Sequence, residues 1–267
     1  MAIIPSRFLD AVVSIGIRQA TNIKWIGTGF FVLRKINENG DGKPFLVTNK
    51  HVFKDKTLVV IRMKEKDSEA VKEIDAPLVD NGKTLYSLHS NDKIDIAILP
   101  LNAEFIIKNN LDFPFFDIDE DTMTSSDLLN NGVDEGSLVY MLGFPMGLVN
   151  VTSNLPISRL GCVARMSKEQ IAESFNVLVD IQNFPGNSGS PIITRPELMA
   201  IEGTKSLSRS VLLGIVHSYI PYRESLVNIQ TQEIVEIRSE NSGLAKVHPV
   251  EYILELIDAI QPKTAVK

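Results

Sequence analysis

Short apolar runs separated by turn residues recur along this chain, a pattern of many strands rather than of long helices. Leu9 to Ile17 reads as a first strand, and Lys24 to Leu33 as a second whose Gly27 and Gly29 permit the bends of a tightly curled sheet. Asn39, Gly40, Asp41 and Gly42 read as a hairpin turn leading into Phe45 to Thr48. Leu58 to Met63 and Ile94 to Leu101 read as further strands, with the charged stretch from Lys64 to Glu73 as a solvated hairpin tip. Strands resume at Ser137 to Leu142, Leu160 to Ala164, Val177 to Ile181, Pro191 to Thr194 and Val211 to Val216. Only at the end does the period change. Val250, Ile253, Leu254, Ile257 and Ile260 recur at helical spacing, so His248 to Ile260 predicts an amphipathic helix packed outside the sheets.

The segment from Asn102 to Gly136 interrupts the strands and carries Asp117, Asp119, Glu120 and Asp121. These carboxylates lack the glycine-containing loop spacing of an EF-hand, so the stretch reads as a solvated linker and not as a metal site. It divides the chain into an N-terminal unit over 1–118, a linker and second unit over 119–247, and a helix with its tail over 248–267. With 267 residues, 44% of them hydrophobic, there is material for two packed cores.

A net charge of -6 argues against a nucleic-acid binder, which needs a basic surface to displace counterions from phosphates. The single cysteine, Cys162, cannot form an intrachain disulfide and reads as a small buried residue of its strand. The first residues, Met1 to Arg7, lack the basic and apolar regions of a signal peptide, and no run is long enough to span a membrane. The expectation is a cytoplasmic protein with no nucleic-acid or membrane partner. No zinc-ligand spacing and no phosphate-binding glycine loop is found, so no cofactor and no metal is expected.

The chemistry concentrates in Gly186, Asn187, Ser188, Gly189, Ser190 and Pro191, a glycine-flanked turn that exposes a serine beside backbone amides. Serine at its ordinary acidity is a poor nucleophile and needs a histidine base, itself oriented by a carboxylate. His51, after the apolar run Leu46 to Thr48, and Asp95, ahead of Ile96 to Leu101, supply both. The chain order is therefore His, Asp, Ser. α/β-Hydrolases run Ser, Asp, His and subtilisins Asp, His, Ser.

In that order and context the chain resembles the chymotrypsin-like serine peptidase superfamily, with Gly27 to Val32 similar to its early barrel strand and the terminal helix similar to its last element. The resemblance implies an all-β fold of two antiparallel six-stranded β-barrels with a C-terminal α-helix and the active site between the barrels. It implies a serine endopeptidase acting on a protein or peptide substrate. Ser188 would attack the scissile carbonyl, His51 would carry the proton, Asp95 would hold the imidazole, and the Gly186 and Ser188 amides would bind the oxyanion.

Finer features resemble the bacterial HtrA-type protease domain. Asn187 stands where trypsin-like zymogens carry an aspartate that pairs with a newly cut N-terminus, so synthesis without a propeptide is expected. Asp180 keeps the HtrA-type spacing before the serine, and too few residues follow the helix for a PDZ domain. Control would come from ordering of the loop from Asn183 to Gly186, or from an activating protein partner. Loop alignment puts Gln182 and Asn183 near the base of the specificity pocket, which does not support cleavage after Lys or Arg. His217, Ser218 and Tyr219 fall on the strand that would pair with substrate. Glutamyl endopeptidases carry a histidine close to the position of His217, although a slip of one residue would turn it towards Asp95 instead. Pocket lining, support of Asp95 and plain packing stay open for it. His89 and His248 carry no motif, and His248 reads as a helix cap or surface residue. The alternative to an enzyme is a silent pseudoprotease that holds an extended peptide in the same cleft.

Overall fold

The computed structural model describes residues 3–37, 41–68, 70–197, 199 and 205–262. Asn39 and Gly40 of the expected turn, and Met1 and Ala2, lie outside the described residues. The apolar run at Leu9 begins differently from expectation. Pro5 opens a short helix, α1 (Ser6–Asp10), which buries Phe8, and strand β1 (Val12–Gln19) starts only after it.

β2 (Asn22–Lys35) pairs antiparallel with β1 and then with β3 (Gly42–Thr48). The chain leaves β3 through a single turn of helix, α2 (Lys50–Phe53), and returns as the hairpin β4 (Leu58–Lys64) and β5 (Val71–Pro77). Two short strands, β6 (Val79–Asp80) and β7 (Lys83–Thr84), form a separate hairpin. β8 (Ser87–Leu88) then pairs with β9 (Ala97–Pro100), which lies beside β3. The sheet order is β5-β4-β1-β2-β3-β9-β8. Among the described residues no pairing joins β5 to β9, and their facing residues wall an apolar cavity of about 520 Å³. Among the described residues, strand pairing therefore does not close the N-terminal half into the six-stranded barrel expected.

The connection is not the solvated linker that its charge suggested. It contains α3 (Ala103–Lys108), strand β10 (Phe116–Asp117), which joins β2 in parallel, and α4 (Ser125–Asn130). The carboxylates of Asp117, Asp119, Glu120 and Asp121 are engaged in ion pairs. Asp121, nearly buried, accepts both ends of the Arg7 guanidinium at 2.5 and 2.6 Å. Arg34, 1% exposed, is held by Asp119 at 3.0 Å and Asp258 at 2.5 Å, and Lys35 pairs with Asp117 and Glu120. A buried guanidinium demands such partners, so the acidic run compensates basic residues of α1 and β2.

The C-terminal half is a closed barrel of β11 (Leu138–Gly143), β12 (Ile157–Arg165), β13 (Val177–Asp180), β16 (Ile234–Pro249), β15 (Leu212–Val227) and β14 (Pro191–Thr194), in that order around it. A helix, α5 (Lys168–Ser174), links β12 and β13. Cys162 lies on β12 and is half-buried rather than enclosed. The closing helix, α6 (Glu251–Ile260), buries Ile253, Leu256 and Ile257 but starts later than expected, because β16 continues through His248 to Pro249.

Three apolar clusters organise the molecule. Ile15, Phe31, Leu46, Phe53 and Ile61 fill the N-terminal sheet, and Val139, Val163, Val179, Val216 and Val247 fill the barrel. A third cluster lies between the halves, where Phe30, Phe45 and Ile98 meet Leu142, Phe144, Ile215 and Ile257. The two halves thus share a core, which fixes the cleft between them. β15 and β16 outrun the barrel by many residues as an exposed two-stranded ribbon, which the sequence reading ended at Val216.

Candidate active site

His51 is carried on α2, directly after the buried end of β3, and Asp95 lies two residues before β9 rather than inside it. Because β3 and β9 are hydrogen-bonded neighbours, with Thr48 opposite Ala97, the two residues emerge side by side. The His51 ring Nδ1 stands 2.5 Å from Asp95 Oδ2, and the His51 amide donates to Oδ1 at 3.1 Å. Asn49, fully buried, donates its side-chain amide to the Asp95 carbonyl at 2.8 Å. Burial alone would push the Asp95 carboxyl up. The hydrogen bonds and charge of His51, with a contribution from His217, outweigh it and hold the group below its usual range.

The turn bearing Ser188 is tied to the N-terminal half through Thr28 of β2. The Thr28 amide donates to the Ser188 carbonyl at 2.8 Å, and its hydroxyl donates to the Gly186 carbonyl at 2.7 Å while accepting from the Phe144 amide at 3.1 Å. A Cβ on Gly27 would lie 3.0 Å from Val52 and 3.3 Å from the Ser188 carbonyl, so β2 runs between the neighbour of His51 and the serine backbone. Among the described residues no hydrogen bond joins the Ser188 hydroxyl to the His51 ring.

The backbone of this turn leaves two donors unused. The Pro185 carbonyl accepts from Met146 N at 2.5 Å, and the Asn187 carbonyl accepts from Ser190 N at 2.9 Å. Since C=O and N–H of one trans peptide point in opposite directions, the Gly186 and Ser188 amides face the other way. Neither has a protein acceptor among the described residues. Gly186 at φ +97° and Gly189 at φ +89° occupy left-handed backbone where a Cβ would also strike the Phe144 and Thr28 carbonyls, so glycine is required at both.

A cleft of about 300 Å³ opens beside the serine, lined by Asn183, Phe184, Pro185, Ser188, His217, Ser218 and Tyr219. Four of the five residues read as substrate contacts line it. Gln182 is exposed and does not, its carbonyl instead accepting from Arg159 at 3.0 Å. Asn183 is nearly buried and braces the cleft wall, donating to the Ser218 carbonyl at 3.1 Å and accepting from Asn241 at 2.5 Å.

His217 is engaged at both ring nitrogens. Its Nε2 meets Asn176 Oδ1 at 2.7 Å and its Nδ1 meets the Ser218 hydroxyl at 3.1 Å. Burial, then the neighbouring His248, lowers its pKa to about 3 against the pull of Asp95. The residue missed from sequence is His248. Far from being a surface cap, it is fully buried, its Nε2 accepting from the Asp95 amide at 3.0 Å and its Nδ1 donating to the Phe175 carbonyl at 2.8 Å. Burial holds its pKa down as well, although the Phe175 carbonyl and Asp95 act in the other direction. It lies at the end of β16 on the face opposite the barrel-core residues Ala245 and Val247, so strand alternation gave no signal of its burial. His89 lies apart and pairs with Glu255 at 3.1 Å. Among the described residues no cluster of His, Cys, Asp and Glu could hold a metal ion, and no helix is long and apolar enough to cross a membrane.

Comparison with known proteins agrees with this arrangement at the level of fold. The human heparin binding protein superposes with a TM-score of 0.53 at 14% identity, covering 99% of this chain and 97% of that one. The HtrA-type protease AlgW, solved with a decapeptide, superposes with a TM-score of 0.50 at 13% identity, covering 97% of this chain and 67% of that one. The MamO protease domain from Magnetospirillum magneticum gives 0.49 at 13% identity, covering 93% and 96%. No curated protein matches the sequence. Residues 27–198 match the family model described as a trypsin-like peptidase domain, a span that contains His51, Asp95 and Ser188. The chain belongs to the trypsin-like peptidase domain family.

Proposed function

We propose that the chain is a serine endopeptidase that hydrolyses peptide bonds through an acyl-enzyme intermediate, with two catalytic halves over 1–118 and 119–247 and a supporting helix over 248–267. The observation that carries the reading is the 2.5 Å contact of His51 Nδ1 with Asp95 Oδ2, which commits that nitrogen and leaves Nε2 to act as the base. Ser188 attacks the scissile carbonyl, and His51 takes its proton and delivers it to the leaving amine. Asp95, kept ionised, fixes the ring and stabilises its cation. The Gly186 and Ser188 amides, without an acceptor among the described residues, receive the oxyanion, a contribution of about 3 kcal/mol per donor in such sites.

The HtrA-type likeness supports control by the loop from Asn183 to Gly186, acting directly or through a protein activator. Asn187 is buried and carries no charge for a new N-terminus to pair with, which supports synthesis without an activating propeptide. A fluorophosphonate probe tests the reading. It should label the wild type and not Ser188→Ala. A wild type that resists labelling in the presence of unfolded protein and peptide ligands would overturn it.

A further inference from the structure

The seam between β5 and β9 is held open by its own sequence. Pro77 lies opposite Leu58, and the Leu78 amide donates to the Thr57 carbonyl at 2.8 Å. Pro77 therefore occupies a non-hydrogen-bonded pair and turns its ring nitrogen away from β4, towards the seam. Pro100 repeats the arrangement on the other side. It lies opposite Phe45, the Leu101 amide donates to the Pro44 carbonyl at 3.0 Å, and its nitrogen turns away from β3. Each strand thus offers the seam a proline where a ladder needs a donor.

The cavity of about 520 Å³ behind this seam reaches the core, since Phe31, Ile61, Met63 and Leu99 line it and none is more than 5% exposed. Leu85 and Phe105, 36% and 44% exposed, carry its lining out to the surface. Only two lining residues have polar side chains, and both are committed elsewhere. Asp75 accepts from the Arg18 guanidinium at 2.9 Å, and Asn102 caps α3 by accepting from the Phe105 amide at 3.1 Å. Water in such a space finds few hydrogen-bond partners, so an apolar body that displaces it is favoured. A strand-adding peptide would need the donors that Pro77 and Pro100 lack, and an ionised group would have no free counter-charge among the lining residues.

We infer that this cavity is a binding site for an uncharged, lipid-like small molecule, which inserts an apolar chain or ring system between β5 and β9. An apolar cavity of about 150 Å³ takes one benzene ring, so by proportion this one takes up to about 20 non-hydrogen atoms. The site shares no lining residue with the cleft beside Ser188, and its occupancy does not depend on the peptidase reading.

The test uses the full chain and the uncharged fluorophore N-phenyl-1-naphthylamine, whose emission should rise saturably with one molecule bound per chain. Primary alcohols from hexanol to dodecanol should displace it, with affinity increasing about three- to fourfold for each added CH₂. Dodecanoate at pH 7.5 should compete about tenfold less well than dodecanol, because its carboxylate meets no unpaired cation in the lining. Ala76→Phe places a ring in the cavity from β5 and should weaken the probe about tenfold or more. Leu85→Asp, at the exposed rim, should do the same and carries the test where the first variant fails to fold. Leu160→Ser, at an exposed apolar position of the other half, should leave binding unchanged. No saturable binding, affinity indifferent to chain length, equal competition by dodecanoate, binding retained in the folded cavity variants, or an equal loss in Leu160→Ser overturns the inference.

Discussion

His217 and His248 lie ring against ring, their centroids 4.0 Å apart and their planes 6° from parallel. Such a stack disfavours two charged rings; the bond from the Asp95 amide makes His248 neutral, and burial lowers the pKa of His217. His248 accepts at Nε2 from the Asp95 amide and donates at Nδ1 to Phe175, which defines a single tautomer. His217 is held in turn by Asn176 and Ser218. The pair forms the floor behind Asp95, so the orientation of the carboxylate that meets His51 depends on residues of the other half of the molecule.

This floor makes the protein sensitive to acid. The folded-state pKa of His217, about 3, lies below the ordinary value of 6.5. Stability from neutral His217 is therefore complete above about pH 6.5 and is lost as pH falls towards 3, because the unfolded chain takes up the proton first. The slope reaches about 1.4 kcal/mol per pH unit for this residue. His248 is shifted in the same direction, and Asp95, whose pKa is lowered, adds a further loss below its ordinary value of 3.8. Urea midpoints measured from pH 7.5 to 4 should fall steadily below 6.5, with a shallower fall in His217→Gln. A flat profile in the wild type would contradict the neutral stack.

His248→Leu should show what the hidden histidine contributes. The substitution leaves the Asp95 amide and the Phe175 carbonyl buried without partners, at about 1–3 kcal/mol each. Beyond the lower melting temperature, kcat should drop with little change in KM, since substrate does not touch this ring. His248→Gln, which can still accept from the Asp95 amide, should recover part of kcat. Equal losses in both variants would reduce His248 to packing.

The acidic connection can be tested through Arg34. Its guanidinium is enclosed while Asp119 and Asp258 are partly exposed, so Arg34→Ala removes a buried anchor and should cost about 3–5 kcal/mol in denaturant titration. Asp258→Asn leaves Asp119 in place and should cost about 1 kcal/mol or less. Similar effects from the two variants would argue that the charge pairing with Asp258, and not the enclosed arginine as a whole, holds β2 to α6.

Most strand positions and the His51, Asp95 and Ser188 blocks were legible in the sequence because alternation and turn chemistry act locally. The strand readings at Phe45 to Thr48, Leu58 to Met63 and Pro191 to Thr194 correspond closely to β3, β4 and β14. What escaped was long-range. Nothing near Asp117 to Asp121 announces that Arg7 and Arg34 will consume those charges, and a buried carboxylate looks the same as a solvated one in a string of letters. His248 escapes the sequence because helical spacing beginning at Val250 extends back over it, and because its burial comes from Asp95 and Phe175, which are distant in sequence. The ribbon was cut short at Val216 because its outer residues are polar or mixed on both faces, so no half-buried alternation marks them as strand.

Thr28 offers the sharpest test of how the candidate site is assembled. Its side chain is fully buried in the sequence Gly27, Thr28, Gly29, and its hydroxyl joins the Gly186 carbonyl to the Phe144 amide. Fixing the Gly186 carbonyl restrains the peptide that follows it, and the adjoining bond of the Pro185 carbonyl to Met146 turns the Gly186 amide away from Met146. Thr28→Val keeps the shape but removes both bonds, leaving a buried donor and acceptor unpaired at about 1–3 kcal/mol each. If the hydroxyl orders the turn, kcat should fall about 10- to 100-fold with KM nearly constant, a loss smaller than removal of an oxyanion donor itself. Thr28→Ser keeps the bridge and should retain most of kcat. A Thr28→Val enzyme that melts early yet turns over normally would show that the bridge stabilises the junction of the halves without setting the geometry of catalysis.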